Sequence, residues 1–84
     1  MRISIDQDDT EAYLSFQAML REIGDDHQIA VYVDGEPLKY PTMADDVNGE
    51  ARHIQDVDWN GKVNEPTVRG HVEIKVERKP NDQG

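Results

Sequence analysis

The rhythm of apolar and polar residues changes once along this 84-residue chain. Between Thr10 and Ile23, the side chains of Tyr13, Phe16, Leu20 and Ile23 recur three or four residues apart, with Ala12 and Met19 widening the stripe. That spacing lines one face of an α-helix. Asp8, followed three residues later by Glu11, has the form of a capping box, in which two side chains satisfy unpaired N–H groups of the first turn. Gly24 stands where a helix ends on a positive-φ residue. The pattern predicts a helix over 10–23. Before it, Arg2-Ile3-Ser4-Ile5 alternates like a short strand.

From Gln28 onward the period is two. Asp34-Gly35, Asn48-Gly49 and Asn60-Gly61 punctuate it, with their glycines 14 and 12 residues apart. Such dipeptides favour the tight turns of β-hairpins. A two-residue turn at Asp34-Gly35 pairs Val33 with Glu36, Val31 with Leu38 and Ile29 with Tyr40. One at Asn48-Gly49 pairs Val47 with Glu50, Tyr40 with Val57 and Leu38 with Trp59. One at Asn60-Gly61 pairs Trp59 with Lys62, His53 with Val68 and Ala51 with Gly70.

In that register Ile29, Val31, Val33, Leu38, Tyr40, Val57, Trp59, Val72, Ile74 and Val76 share one face. The other face carries Tyr32, Lys39, Ile54, Asp56, Asp58, Arg69, His71, Glu73, Lys75 and Glu77. Pro41 and Pro66 cannot donate ladder bonds, so a loop or bulge is expected near each. The expected fold is α+β: one amphipathic helix on a mostly antiparallel four- to five-stranded β-meander sheet. Residues 1–79 form the domain and 80–84 a tail.

Charge narrows the functions this fold could serve. Eighteen acids stand against nine bases, a net charge of −9. Residues 1–46 hold eleven of the acids and three of the bases, so the negative field belongs to the first half. Direct nucleic-acid binding and docking to an anionic membrane both rest on clustered Lys and Arg, and are not expected. The longest apolar run, Ile29 to Val33, is too short to span a bilayer. The chain has no cysteine, which removes disulfides, thiolate metal sites and cysteine nucleophiles. This fits a reducing compartment and a small-protein accident alike and does not decide between them; a cytoplasmic setting is the expectation. A domain this small buries only about 60–68% of its unfolded surface, which disfavours a deep catalytic cavity. No enzyme activity and no cofactor are expected.

Candidate chemistry is sparse. His27, His53 and His71 fall in a loop, on the apolar face and on the polar face, so they do not converge on a metal. Ser4 and Ser15 lack the glycine-flanked elbow of a nucleophile, and no phosphate-cradling glycine loop is present. The most specific pattern is Asp56-Val57-Asp58-Trp59-Asn60-Gly61-Lys62-Val63-Asn64-Glu65-Pro66-Thr67. These twelve residues resemble the calcium loop of EF-hand and dockerin modules. The resemblance implies calcium ligation by Asp56, Asp58 and Asn60, with Gly61 at the turn and Glu65 as the nearest further carboxylate. The chain departs from the pattern at the twelfth position, where Thr67 replaces a bidentate carboxylate, and in following the loop with a strand rather than a helix. The alternative is a plain hairpin.

The acid doublets Asp8-Asp9, Asp25-Asp26 and Asp45-Asp46, with Asp6 beside the first, are the remaining signal. Asp8-Asp9 suits a helix N-terminus, whereas Asp25-Asp26 follows the negative end of the same helix. Read as a solvated surface, these acids keep the protein soluble. Read as a binding footprint, Asp6, Asp8, Asp9, Asp25, Asp26, Asp45 and Asp46 face a basic protein surface and mimic the charge of a nucleic acid. The expected role is a non-enzymatic interaction or inhibitor protein. The alternative is an assembly subunit that forms a homodimer or larger particle through a strand edge at Lys75-Val76-Glu77-Arg78.

Overall fold

The structure, a computed structural model, describes residues 1–80. The expected tail therefore lies, from residue 81 on, outside the described residues. In chain order the elements are β1 (Arg2–Ser4), α1 (Thr10–Ile23), β2 (His27–Val33), β3 (Glu36–Pro37), β4 (Pro41–Asp45), β5 (Glu50–His53), β6 (Asp56–Val57), β7 (Val63–Asn64), β8 (Thr67–Arg69) and β9 (Val72–Arg78). The class is α+β, with one helix against antiparallel strands. The strands form a four-stranded sheet β1-β4-β5-β8, a three-stranded sheet β3-β2-β9 and a small β6-β7 hairpin.

The helix forms where its apolar spacing places it, but it starts differently from expectation. Asp9, not Asp8, is the N-cap, and its carboxylate makes no cap bond. It is taken by Arg2, whose Nε donates to Oδ2 at 2.7 Å. Asp8 instead donates its N–H to the Asp6 carboxylate. The capping box therefore does not form, although acids still surround the positive end of the helix. Gly24 ends α1 at φ 73.

The three turns behave differently. Asp34-Gly35 turns as expected, with φ of 53 and 84, and pairs Val33 with Glu36. The pairing runs one bond further, with the Leu38 N–H donating to the Val31 carbonyl at 2.9 Å as that register expects, and then stops. Pro37 and Pro41 interrupt donation, Tyr40 adopts φ 53, and the chain crosses to the other sheet. The other side of β2 is occupied by β9, which pairs along its whole length from His27↔Arg78 to Val33↔Val72. Across this ladder Ile29 faces Val76 and Val31 faces Ile74, while on the β3 side the expected Ile29–Tyr40 pair does not form. These β-branched pairs form a longer apolar ladder than residues 36–40 could supply.

The β4–β5 loop holds four residues between Asp45 and Glu50. That shifts the register by two and keeps the phase. Ile3, Ala44, Ala51 and Val68 line up across the sheet. The loop in the β6–β7 hairpin holds five residues between Val57 and Val63. That is an odd shift from a two-residue turn, so the phase is lost. Val57 and Trp59, expected on the apolar face, are 56% and 93% exposed.

The core forms where the two sheets meet. Ile3, Val31, Ala44, Ala51 and Val72 are buried, and Phe16 and Met19 of α1 pack against them with Ile29, Val33, Leu38, Val68 and Ile74. Ala44 and Ala51 have no exposed surface. On the opposite face of β2 and β9, Tyr32, Glu73, Lys75 and Glu77 form the expected polar surface.

Candidate acidic interface

Five of the seven candidate acids gather at one end of the molecule. Arg2 sits among them, with its guanidinium on Asp9 and its Nη1 3.5 Å from Asp45 Oδ2. The hydrogen bond to Asp9 holds the Arg2 pKa above its ordinary value. Asp46 Oδ1 receives the Met1 ammonium at 2.6 Å. Asp6 accepts from the N–H groups of Asp8 and Asp9, folding the segment before α1 into a turn.

Asp45 is a structural residue and not a presented one, contrary to expectation. It is buried, and its Oδ1 accepts the N–H groups of Val47 and Asn48 at 3.0 Å. Oδ2 accepts Asn48 Nδ2 at 2.8 Å. The Asn48 N–H leads the bonds that hold this carboxyl below its ordinary range, and burial opposes them. Asp9 and Asp46 are likewise engaged, in ion pairs. Asp6 and Asp8 remain exposed, next to the exposed Glu11.

Asp25 and Asp26 lie at the other end of α1, about 21 Å away along a 14-residue helix. They are exposed, with Glu22 exposed nearby. The end of β9 meets this segment through its main chain. Lys79 donates its N–H to the Asp26 carbonyl, and Arg78 lies beside His27. Asp6, Asp8, Glu11, Glu22, Asp25 and Asp26 have no ion-pair partner among the described residues.

The calcium-like segment is a β-hairpin without flanking helices. Asp58 Oδ1 accepts the N–H groups of Asn60 and Lys62, which lengthens the turn. Gly61 at φ 82 completes it. Glu65 accepts from the Thr42 hydroxyl at 2.9 Å. Asp56 is on β6 opposite Asn64. The candidate ligands Asp56, Asp58, Asn60 and Glu65 are thus spread along the hairpin rather than wrapped round a point. Among the described residues no group of three or more His, Cys, Asp or Glu is placed to hold a metal ion. The histidines are dispersed: His27 at the start of β2, His53 opposite Pro41, and His71 3.9 Å from Glu73.

Sequence reasoning missed two constellations. Asp34 caps the link into β9, with its N–H on the His71 carbonyl and its Oδ1 accepting the His71 N–H at 2.9 Å. Its Asp-Gly dipeptide signalled the turn but not this second contact. On the polar face the Tyr32 hydroxyl donates to Glu77, which pushes the Tyr32 pKa up, and Lys75 Nζ lies 4.7 Å from the ring centre. Separately, an apolar groove of about 430 Å³ runs between α1 and the sheets, lined by Ile3, Ile5, Phe16, Leu20, Ile29 and Met43. No helix among the described residues is long and apolar enough to cross a membrane. In comparisons with protein families, curated proteins and solved structures, nothing matches this chain.

Proposed function

We propose that this protein is a non-enzymatic interaction protein that presents fixed carboxylates to a basic protein surface of the kind that holds phosphates. The observation that carries the reading is the pair of unneutralised acid groups at the two ends of α1. Asp6, Asp8 and Glu11 stand at one end, and Glu22, Asp25 and Asp26 at the other. A helix holds them at a set separation, so a complementary surface can meet both without ordering a flexible chain. The remaining negative charge steers encounter from a distance.

The test is binding of the intact chain to immobilised nucleic-acid-binding proteins over a salt series. The expected result is fast association that slows steeply as salt rises from about 0.05 to 0.5 M. Asp25→Lys with Asp26→Lys, and separately Asp8→Lys with Glu11→Lys, should each slow association. Binding that ignores both salt and charge reversal refutes the proposal.

A further inference from the structure

The three-stranded sheet ends at β9, whose outer side pairs with no strand among the described residues. The bonds at the two ends of the β2–β9 ladder reveal which groups face outward. Asp34 donates to the His71 carbonyl and Lys79 to the Asp26 carbonyl, both in the register of the ladder. In an antiparallel pair the N–H and C=O of one residue point the same way, and successive residues alternate. Residues 71, 73, 75, 77 and 79 therefore turn toward β2, while Val72, Ile74, Val76 and Arg78 turn outward. Val72 is only 3% exposed, so its main chain is enclosed with its side chain. Ile74 is half-buried, Val76 is 47% exposed and Arg78 is exposed. The open stretch of edge runs from Ile74 to Arg78 and is centred on Val76.

We infer that this edge pairs with the same edge of a second copy, antiparallel about a two-fold axis at Val76, doubling the three-stranded sheet. A two-fold axis sets one residue opposite itself, and the charge pattern selects which. Centred on Val76, Lys75 faces Glu77 of the other copy and Glu73 faces Lys79, on both sides of the axis. Ile74 faces Arg78, whose stem covers it, and the outward groups exchange about six main-chain hydrogen bonds. Centred on Lys75, that lysine faces itself and Glu73 faces Glu77, like against like. Centred on Ile74, Glu73 faces Lys75, but the register calls on the enclosed groups of Val72. In the Val76 register Val72 falls opposite Pro80, which has no N–H to give, so the enclosure of Val72 forgoes at most the single bond from its N–H to the Pro80 carbonyl.

Sedimentation velocity in about 0.15 M salt, where a screening length near 8 Å suppresses the repulsion between net charges, reads the association. The wild-type chain forms a dimer as concentration rises. Lys75→Glu alone and Glu77→Lys alone each set like charges across the axis and raise the dissociation constant about tenfold. An equimolar mixture of the two variants restores wild-type affinity, because each altered residue then meets its opposite. Misfolding cannot produce that recovery. Val76→Pro removes an outward N–H without touching the β2 ladder, and abolishes the dimer while far-ultraviolet circular dichroism is retained. A wild-type monomer at about 1 mM, or a mixture no tighter than its components, overturns the inference. Failure to recover in the mixture also excludes the Val76 axis itself, since an Ile74 axis sets Lys75 against Glu73 instead.

Discussion

Replacing Asp45 with Asn tests whether an acid from the negative half of the chain is built into the fold. The carboxylate is 4% exposed and accepts four hydrogen bonds, two from the loop backbone, one from Asn48 and a long one from Arg2. Asparagine leaves one oxygen for the two backbone N–H groups. It also places an NH₂ where Oδ2 met two donors, so those bonds are lost and the Arg2 guanidinium loses a counter-charge. A hydrogen bond to a charged group contributes about 1.5–3 kcal/mol. With the Arg2 contact counted as weak, the substitution should cost about 2–3 kcal/mol at pH 7. That is a large share of the roughly 4–13 kcal/mol expected of a domain this size.

The pH dependence supplies the stricter check. The folded-state pKa of Asp45 is lowered, with the Asn48 N–H as the leading cause. Its stabilising contribution is therefore complete above the unfolded value of about 3.9 and is lost as pH falls through the folded value. Urea denaturation of both proteins from pH 7 down to about 2 gives a stability gap in which all other titrations cancel. The gap should be widest at neutral pH and close in acid, below pH 4. A gap under about 0.5 kcal/mol at pH 7, the size of an ordinary surface change, or one that stays constant into acid, refutes the reasoning.

Gly49→Ala should destabilise by about 2–4 kcal/mol, combining left-handed strain with a displaced backbone. Gly49 has φ 67, and a Cβ there would stand 2.5 Å from the Gly70 carbonyl oxygen. Thermal melting should fall by roughly 10 °C or more, and a loss under about 1 kcal/mol would show that the β4–β5 loop relaxes freely. Trp59→Ala should leave stability within about 0.5 kcal/mol, because the side chain is 93% exposed. Native Trp59 fluorescence should already resemble that of the unfolded chain, and a blue-shifted native emission would mean that the hairpin packs onto the core.

What could be read from the residues was local. The helix follows from the spacing of Tyr13, Phe16, Leu20 and Ile23, and the Asp34-Gly35 turn follows from a dipeptide that tolerates positive φ. The β2–β9 ladder was not legible, because period-two strands share one signature and hairpin parity tests only neighbours in sequence. Val31 meets Leu38 on one side of β2 and Ile74 on the other, and only Leu38 lies within hairpin reach in the sequence. Pro37 and Pro41 were the available hint that the first hairpin would stop short. The other two loops were misjudged for one reason: Asp45 and Asp58 each fold their carboxylate onto following N–H groups. A side chain thereby replaces part of the ladder and lengthens the turn. An Asp three or four residues before the glycine of Asn48-Gly49 and Asn60-Gly61 was the missed signal. For the acidic surface, doublets in the sequence concealed a division of labour. Asp45 and Asp9 hold structure, while Asp25 and Asp26 project into solvent.

That division also bears on how a chain of net charge −9 could meet a copy of itself. The acids that stand free cluster at the ends of α1, whereas the run from Glu73 to Lys79 carries two acids and three bases. The β9 edge is therefore locally balanced within a negative molecule. Self-pairing there need not bring the acidic ends of the helix together. The two surfaces should consequently answer salt in opposite senses. Capture of a basic partner draws on long-range attraction and weakens as salt rises. Association along β9 works against long-range repulsion between two negative chains, and moderate salt should favour it until screening reaches the contact pairs themselves. A dimer that forms best at the lowest ionic strength would refute this salt argument, because two chains of net charge −9 repel one another most strongly there.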